Sequence, residues 1–194
     1  TDRSVQFTSR GIVNNSSYHP LFNVVNASLY LSGEASAGNA EFALVNGTLE
    51  LINDGATLAN AGISAGNGSS VVIVIGTGGQ ARLSLHDTSS LILDVNASIG
   101  SIDGPDGQVV LNYGAQLVVG GNNLSTSYGG QIAGVGGSIV KEGTGTWTLS
   151  GANSYTNGTT INAGAISISA DNNLGFASGA LAFGGGTLQT TADI

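Results

Sequence analysis

Two histidines, twelve acids and four cations carry whatever proton chemistry this sequence can do. His86-Asp87 is the one place where a histidine stands beside a carboxylate. A nucleophile–histidine–acid relay needs its members to converge, and adjacent strand residues point to opposite sides, so the pair reads as a turn cap. His19-Pro20 follows the loop Asn14-Asn15-Ser16-Ser17-Tyr18 with no partner in the sequence, and is expected to be exposed. The run Asp103-Gly104-Pro105-Asp106-Gly107 offers two acids to a cation. Calcium takes about six to eight oxygens, and the Gly-Gly-x-Gly-x-Asp calcium repeat is absent, so the run reads as a plain turn. Glu34 and Glu41 are the close acid pair of the first half, and polysaccharide cleavage works through such paired carboxylates; the other acids are spread along the chain. Trp147, Tyr155 and Tyr113 are candidate contact aromatics, with Trp147 at an apolar position of an alternating run, which places it in the core. No catalytic, cofactor-binding or metal-ligating residue is assigned, and no cofactor is expected.

The elements that would have to position these residues are strands. Only 8% of the 194 residues are charged, while Gly alone contributes 32 residues and Pro two. The polar balance is made up by Ser, Thr and Asn, which compete for backbone hydrogen bonds and disfavour helices, as Gly does. Apolar residues at 41%, in repeated Val/Ile/Leu clusters, supply the core that a disordered chain lacks. The net charge is −8, and Arg3, Arg10, Arg82 and Lys141 stand singly. A phosphate-binding surface needs clustered cations, so neither nucleic acid nor an anionic membrane is expected as a partner. There is no cysteine, hence no disulfide framework. The longest core-like run, Val71 to Ile75, is far short of the roughly 20 residues that span a bilayer. The sequence opens without a signal peptide, so a targeting segment for export is expected outside it.

One short pattern recurs: a turn of Gly, Asn, Asp or Ser, a few residues alternating apolar and polar, and another turn. Asn46–Gly55, Thr88–Asn96, Tyr113–Asn122, Gly143–Asn153, Ala163–Asn173 and Gly185–Asp193 all follow it. Taking Leu49, Val72, Leu91, Leu117, Trp147, Ile166 and Leu188 as equivalent anchors, the pattern returns at uneven intervals along the chain. Strand repeats of about 20–30 residues without helices predict an all-β solenoid, a parallel β-helix of about eight or nine rungs and roughly 40 Å. Inward Val, Ile and Leu would stack into ladders, and outward Ser, Thr and Asn would exchange hydrogen bonds without like-charge repulsion. An antiparallel sandwich remains the alternative, with Asn46-Gly47, Asp54-Gly55 and Asn157-Gly158 as its hairpins. Asn-x-Ser/Thr occurs at Asn14, Asn15, Asn26, Asn46, Asn67, Asn96, Asn123 and Asn157, and reads as turn chemistry in so Asn-rich a chain.

From Ser138 to Ser169 the order of residues is more particular: Lys141, Gly143-Thr144-Gly145, Trp147-Thr148-Leu149, Gly151-Ala152-Asn153-Ser154-Tyr155, Asn157-Gly158-Thr159-Thr160 and Ala163-Gly164. This resembles the passenger-associated transport repeat of bacterial autotransporters. Asn157 stands where that pattern usually carries Gly, and Asn tolerates the left-handed turn expected there. Residues 170–194, with Asp171-Asn172-Asn173-Leu174-Gly175 and Gly185-Gly186-Thr187-Leu188, resemble the continuation of the same pattern. Residues 1–137 match only in style, so the chain divides into irregular β-helix rungs (1–137) and transport repeats continuing the same helix (138–194). The resemblance implies a right-handed parallel β-helix, export by type V secretion, and an outer-membrane β-barrel outside this chain as anchor. It implies display on a Gram-negative cell surface, where host surface or matrix components, or the same protein on a neighbouring cell, would be partners. Three roles follow as expectations: an adhesin or self-associating rod, a stalk that aids transport and folding, and a polysaccharide-active enzyme.

Overall fold

The computed structural model describes residues 4–7 and 19–192, and within them every strand pairing is parallel. The chain coils into a β-solenoid of about eight turns. It has three faces, visited in the order one, three, two. Face one stacks Ser4–Phe7, Ser28–Leu31, Thr48–Thr57, Ser70–Thr77, Ser90–Leu93, Gln108–Leu111 and Gln131–Ala133. Face two stacks Leu21–Val25, Glu41–Val45, Gly62–Gly66, Arg82–Leu85 and Ser101–Asp103, and resumes with Thr126–Tyr128, Thr146–Leu149, Ala165–Ile168 and Thr187–Thr190. Face three stacks Ala97–Ile99, Gln116–Val119, Ser138–Lys141, Thr159–Ile161 and Leu181–Phe183. Above them a bridge from Ser36 to Thr57 begins the same face.

Alternation does the sorting. Along Ser90–Leu93, Leu91 and Leu93 are fully buried while Ser90 and Ile92 are half-buried, because successive strand side chains leave on opposite sides. Parallel register then puts like on like: Leu29, Leu49, Val71, Leu91, Val109 and Ile132 form one continuous interior row. Leu31, Leu51, Ile73, Leu93 and Leu111 form the next. On face two the row Phe22, Phe42, Ile63, Leu83, Ile102 opens with stacked rings whose centroids are 5.3 Å apart. The outer rows pair polar groups as expected from the sequence: Ser70 with Ser90 (3.0 Å), Asn60 with Asn39 (3.2 Å), Gln108 with Gln131 (3.3 Å).

The register corrects the spacing read from sequence. Leu117 belongs to face three and Trp147, Ile166 and Leu188 to face two, so the anchors mix three faces. Val72 is also one residue off, since its neighbour Val71 is the buried one. True turns vary in length, from the short one between Leu91 and Val109 to the long one between Val5 and Leu29. The hairpin alternative falls with the antiparallel sandwich: Asp54-Gly55 lies inside the strand Thr48–Thr57, and Asn46-Gly47 and Asn157-Gly158 lead into parallel strands.

Leu91 and Ile92 offer a test of this register. Leu91→Ala removes a fully buried side chain and should cost about 2–5 kcal/mol, whereas Ile92→Ala on the outer side should cost about 1 kcal/mol or less. Equal losses in urea unfolding would contradict the placement.

Candidate functional site

The transport-repeat residues are the first candidates, and they turn inward. Trp147 is buried on face two, and its indole N–H donates to the Ile102 carbonyl at 3.1 Å, 45 residues earlier in the chain. That carbonyl is free for the indole because face two splits here: Ser101–Asp103 ends one sheet and Thr126–Tyr128 begins another. Gly104 joins them, donating to Ser127 O (3.1 Å) and accepting from Gly129 N–H (2.9 Å). Gly104 has φ +126, and a Cβ there would collide with the Leu85 carbonyl, so the joint requires glycine.

Lys141 stands in the interior row of face three between Val119 and Ile161 and is 1% exposed. Its Nζ donates to the carbonyls of Glu142 (2.5 Å) and Gly143 (3.1 Å), tying down the turn that follows. Burial lowers its pKa.

Asn153 and Asn173 continue the interior where face one stops being strand. Asn153 Oδ1 accepts from Ile132 N–H at 2.7 Å and its Nδ2 donates to Asn173 O at 2.6 Å. Asn173 Nδ2 donates to Gly151 O at 2.9 Å, while its Oδ1 accepts from Ser169 and Ala170 N–H. Two side-chain amides thus replace the ladder that a strand would have supplied. Tyr155 is buried, with its hydroxyl 2.6 Å from Thr159 Oγ1, and burial pushes its pKa up to about 12. Tyr128, buried at the split, has no partner for its hydroxyl among the described residues, and burial followed by the Asp106 charge raises its pKa.

The outward candidates lie elsewhere. His86 closes the turn to Ser89, with Nε2 3.0 Å from Ser84 Oγ, and Asp87, at φ +58, accepts from Asn67 N–H at 3.3 Å. Asp106 Oδ1 accepts from Asp87 N–H at 2.6 Å, linking the two turns. His19 is exposed, with Nδ1 3.7 Å from Glu41 Oε1. Glu34 lies in a turn against Gly55, off the strand that carries Glu41. Among the described residues no three His, Cys, Asp or Glu side chains gather as a metal set. Tyr113 is 91% exposed, whereas Tyr155 and Trp147 are buried. Of the Asn-x-Ser/Thr asparagines, Asn26, Asn46, Asn67 and Asn123 have φ between +47 and +63, which is turn chemistry; Asn14 and Asn15 lie outside the described residues, as do Arg3 and Arg10. At Asn157 the left-handed residue is instead its neighbour Gly158, at φ +87, so Asn157 has no such turn to tolerate. From sequence, Lys141 counts only as a single scattered cation, and Asn153 and Asn173 carry no role; their place in the repeat pattern is the available signal.

At the split the outer surface carries a cleft of about 600 Å³, lined by Arg82, Ser84, His86, Asp103, Leu124 and Ser127 among others. A smaller cleft of about 260 Å³ continues along face two and shares Arg82, Ser84 and Asp103.

The residues that turn inward between Lys141 and Tyr155 lie within a stretch that has a counterpart among known families. The family model of the passenger-associated transport repeat matches residues 139–168. The chain is also similar to the adhesin BmaC autotransporter of Brucella suis biovar 1 (strain 1330), 57% identical over 56 residues. That match covers 29% of this chain and 2% of that relative. No solved structure matches. The transport repeat is thus shown for residues 139–168, and the likeness to an autotransporter adhesin extends over 56 residues.

Two substitutions separate the buried hydroxyls. Tyr128→Phe removes an unpaired group and should leave stability unchanged or raise it, whereas Tyr155→Phe leaves the buried Thr159 hydroxyl without this partner and should cost about 1–3 kcal/mol. Asn153→Ala strands Ile132 N–H and Asn173 O and should cost about 1–3 kcal/mol for each. The pH dependence follows from the same tyrosines. Both folded-state pKa values lie above the ordinary 10.0. Their contribution is therefore whole below pH 10 and is lost as the pH rises from 10 towards 12. Unfolding titrations should show that fall, and Tyr155→Phe should make it shallower; an unchanged slope would refute the assignment.

Proposed function

We propose that this segment is an adhesive surface of an exported bacterial passenger, binding host surface or matrix components or its own copies on neighbouring cells. The carrying observation is the division of labour across the wall of the solenoid. The transport-repeat side chains Lys141, Trp147, Asn153 and Tyr155 are spent inside, on backbone carbonyls and core contacts. What remains outside is long, low in charge and rich in hydroxyl and amide groups. Such a face makes many weak contacts, and display of many copies multiplies them. The adhesin title of the BmaC relative supports the same reading. In this reading residues 138–194 are the transport-repeat part of the rod and residues 1–137 carry less regular rungs, while an outer-membrane barrel elsewhere in the parent protein holds it at the cell exterior.

The buried amide network favours a second role alongside it. Interior amides paired with backbone groups specify one register, which is what a stalk that must fold after crossing a membrane requires.

Beads coated with the folded 194-residue chain should retain epithelial cells or matrix-coated particles, or each other, several-fold above beads coated with albumin. Retention equal to the albumin control in all three formats would leave only the stalk.

A further inference from the structure

We propose that the cleft at the split of face two is a binding site for a neutral saccharide, which Arg82 and Asp103 hold between them through a pair of adjacent hydroxyls. The proposal deepens the adhesive reading, on which its biological use rests, by naming a ligand class.

The cleft has a structural cause. The turn from Leu91 to Val109 is short, and the next, from Val109 to Ile132, is longer. The surplus lies largely in the segment 120–125, which leaves the strand path before Thr126–Tyr128. Its Leu124 and Ser125 stand as one wall, facing Arg82, Ser84 and Asp103 on the shorter turns above. The floor is the edge where the two sheets fail to join. The walls belong to a continuous solenoid, so the site is formed before ligand arrives. A volume of about 600 Å³ lies within the range of about 300–1,000 Å³ typical of small-molecule sites.

The lining chemistry selects the ligand. Among the described residues the Arg82 guanidinium makes no ion pair and no hydrogen bond, and neither does the Asp103 carboxylate. Arg82 is also the one exposed cation there, Lys141 being buried. Two opposite charges share a cleft without neutralising each other. A sugar diol meets that arrangement: one hydroxyl donates to the carboxylate and its neighbour accepts from the guanidinium. A metal cation would find a single carboxylate in this lining. An anion would meet Asp103 on the wall and Asp87 and Asp106 in the linked turns behind it. The hydroxyls of Ser84, Ser127 and Ser150 add further donors and acceptors, and Leu124, 41% exposed, offers an apolar surface to the C–H side of a sugar ring. The smaller cleft continues along the same face past Ser64 and Gly62 to Glu41, so a linear oligosaccharide has a path in line with the stack. With Asp103 as its only acid, the larger cleft binds without the carboxylate pair that hydrolysis uses.

Cellotetraose, maltotetraose, mannotetraose and chitotetraose are the neutral probes, with tetragalacturonate as the acidic control, each titrated into the 194-residue chain by saturation-transfer NMR. At least one neutral probe should bind, and Arg82→Gln and Asp103→Asn should each weaken it about tenfold or more. Both side chains lie on the outer side of face two, and an unchanged thermal midpoint will confirm that the variants fold. Leu124→Ser, which alters the opposite wall without touching charge, should weaken it less. Silence from all four neutral probes, binding indifferent to both charge variants, or binding of tetragalacturonate alone would each overturn the assignment. Bead retention surviving in an Arg82→Gln/Asp103→Asn double variant that binds no sugar would sink the cleft and leave adhesion standing. Sugar binding without any bead retention would support the cleft and count against adhesion.

Discussion

Parallel stacking at one fixed separation governs this molecule. Each strand must satisfy its N–H and C=O groups on the strands of the turns before and after it, about 4.8 Å away. Every side chain therefore sits directly over its counterpart one turn earlier, and identity in the stack becomes a physical requirement. Aliphatic residues meet it inside, as in the row from Leu29 to Ile132. Neutral polar residues meet it outside, where like charges would repel. A chain with 8% charge and abundant Gly, Ser, Thr and Asn is the composition this constraint selects.

The transport repeat marks where that regularity is kept up by other means. On face one the strand geometry lapses after Gln131–Ala133, and Asn153 and Asn173 take over the ladder with their amides. On face three a lysine enters an aliphatic row because two turn carbonyls await its ammonium. On face two an indole closes a gap between sheets. Lys141, Trp147 and Asn153 lie within the matched repeat, Asn173 just beyond it, and each answers to an unsatisfied backbone group. The motif describes how the coil is held closed; its external chemistry is written by other residues.

Periodicity in the sequence carried the solenoid because alternating strands and turn residues are local signals. Phase was harder. With three faces per turn and turns of unequal length, Leu117 and Trp147 look equivalent to Leu91 yet lie on different faces. Nothing local distinguishes them, since the register is decided by partners a full turn away. Trp147 was legible as core from its alternation, whereas Lys141 was not, because its burial depends on carbonyls that only the folded turn presents. The cleft was least legible of all: Arg82 and Asp103 stand a full turn apart in the chain and are neighbours only through the Arg82–Ser101 register.

The break in face two also has a mechanical meaning. A rod pulled along its axis carries the load through hydrogen bonds between coils, shared among three walls. At the level of Gly104 one wall has lost most of its share, and the indole of Trp147 acts as a rivet across the gap. Tension along the axis would concentrate there. The same level holds the open cleft, so stretching the rod would first widen that cleft.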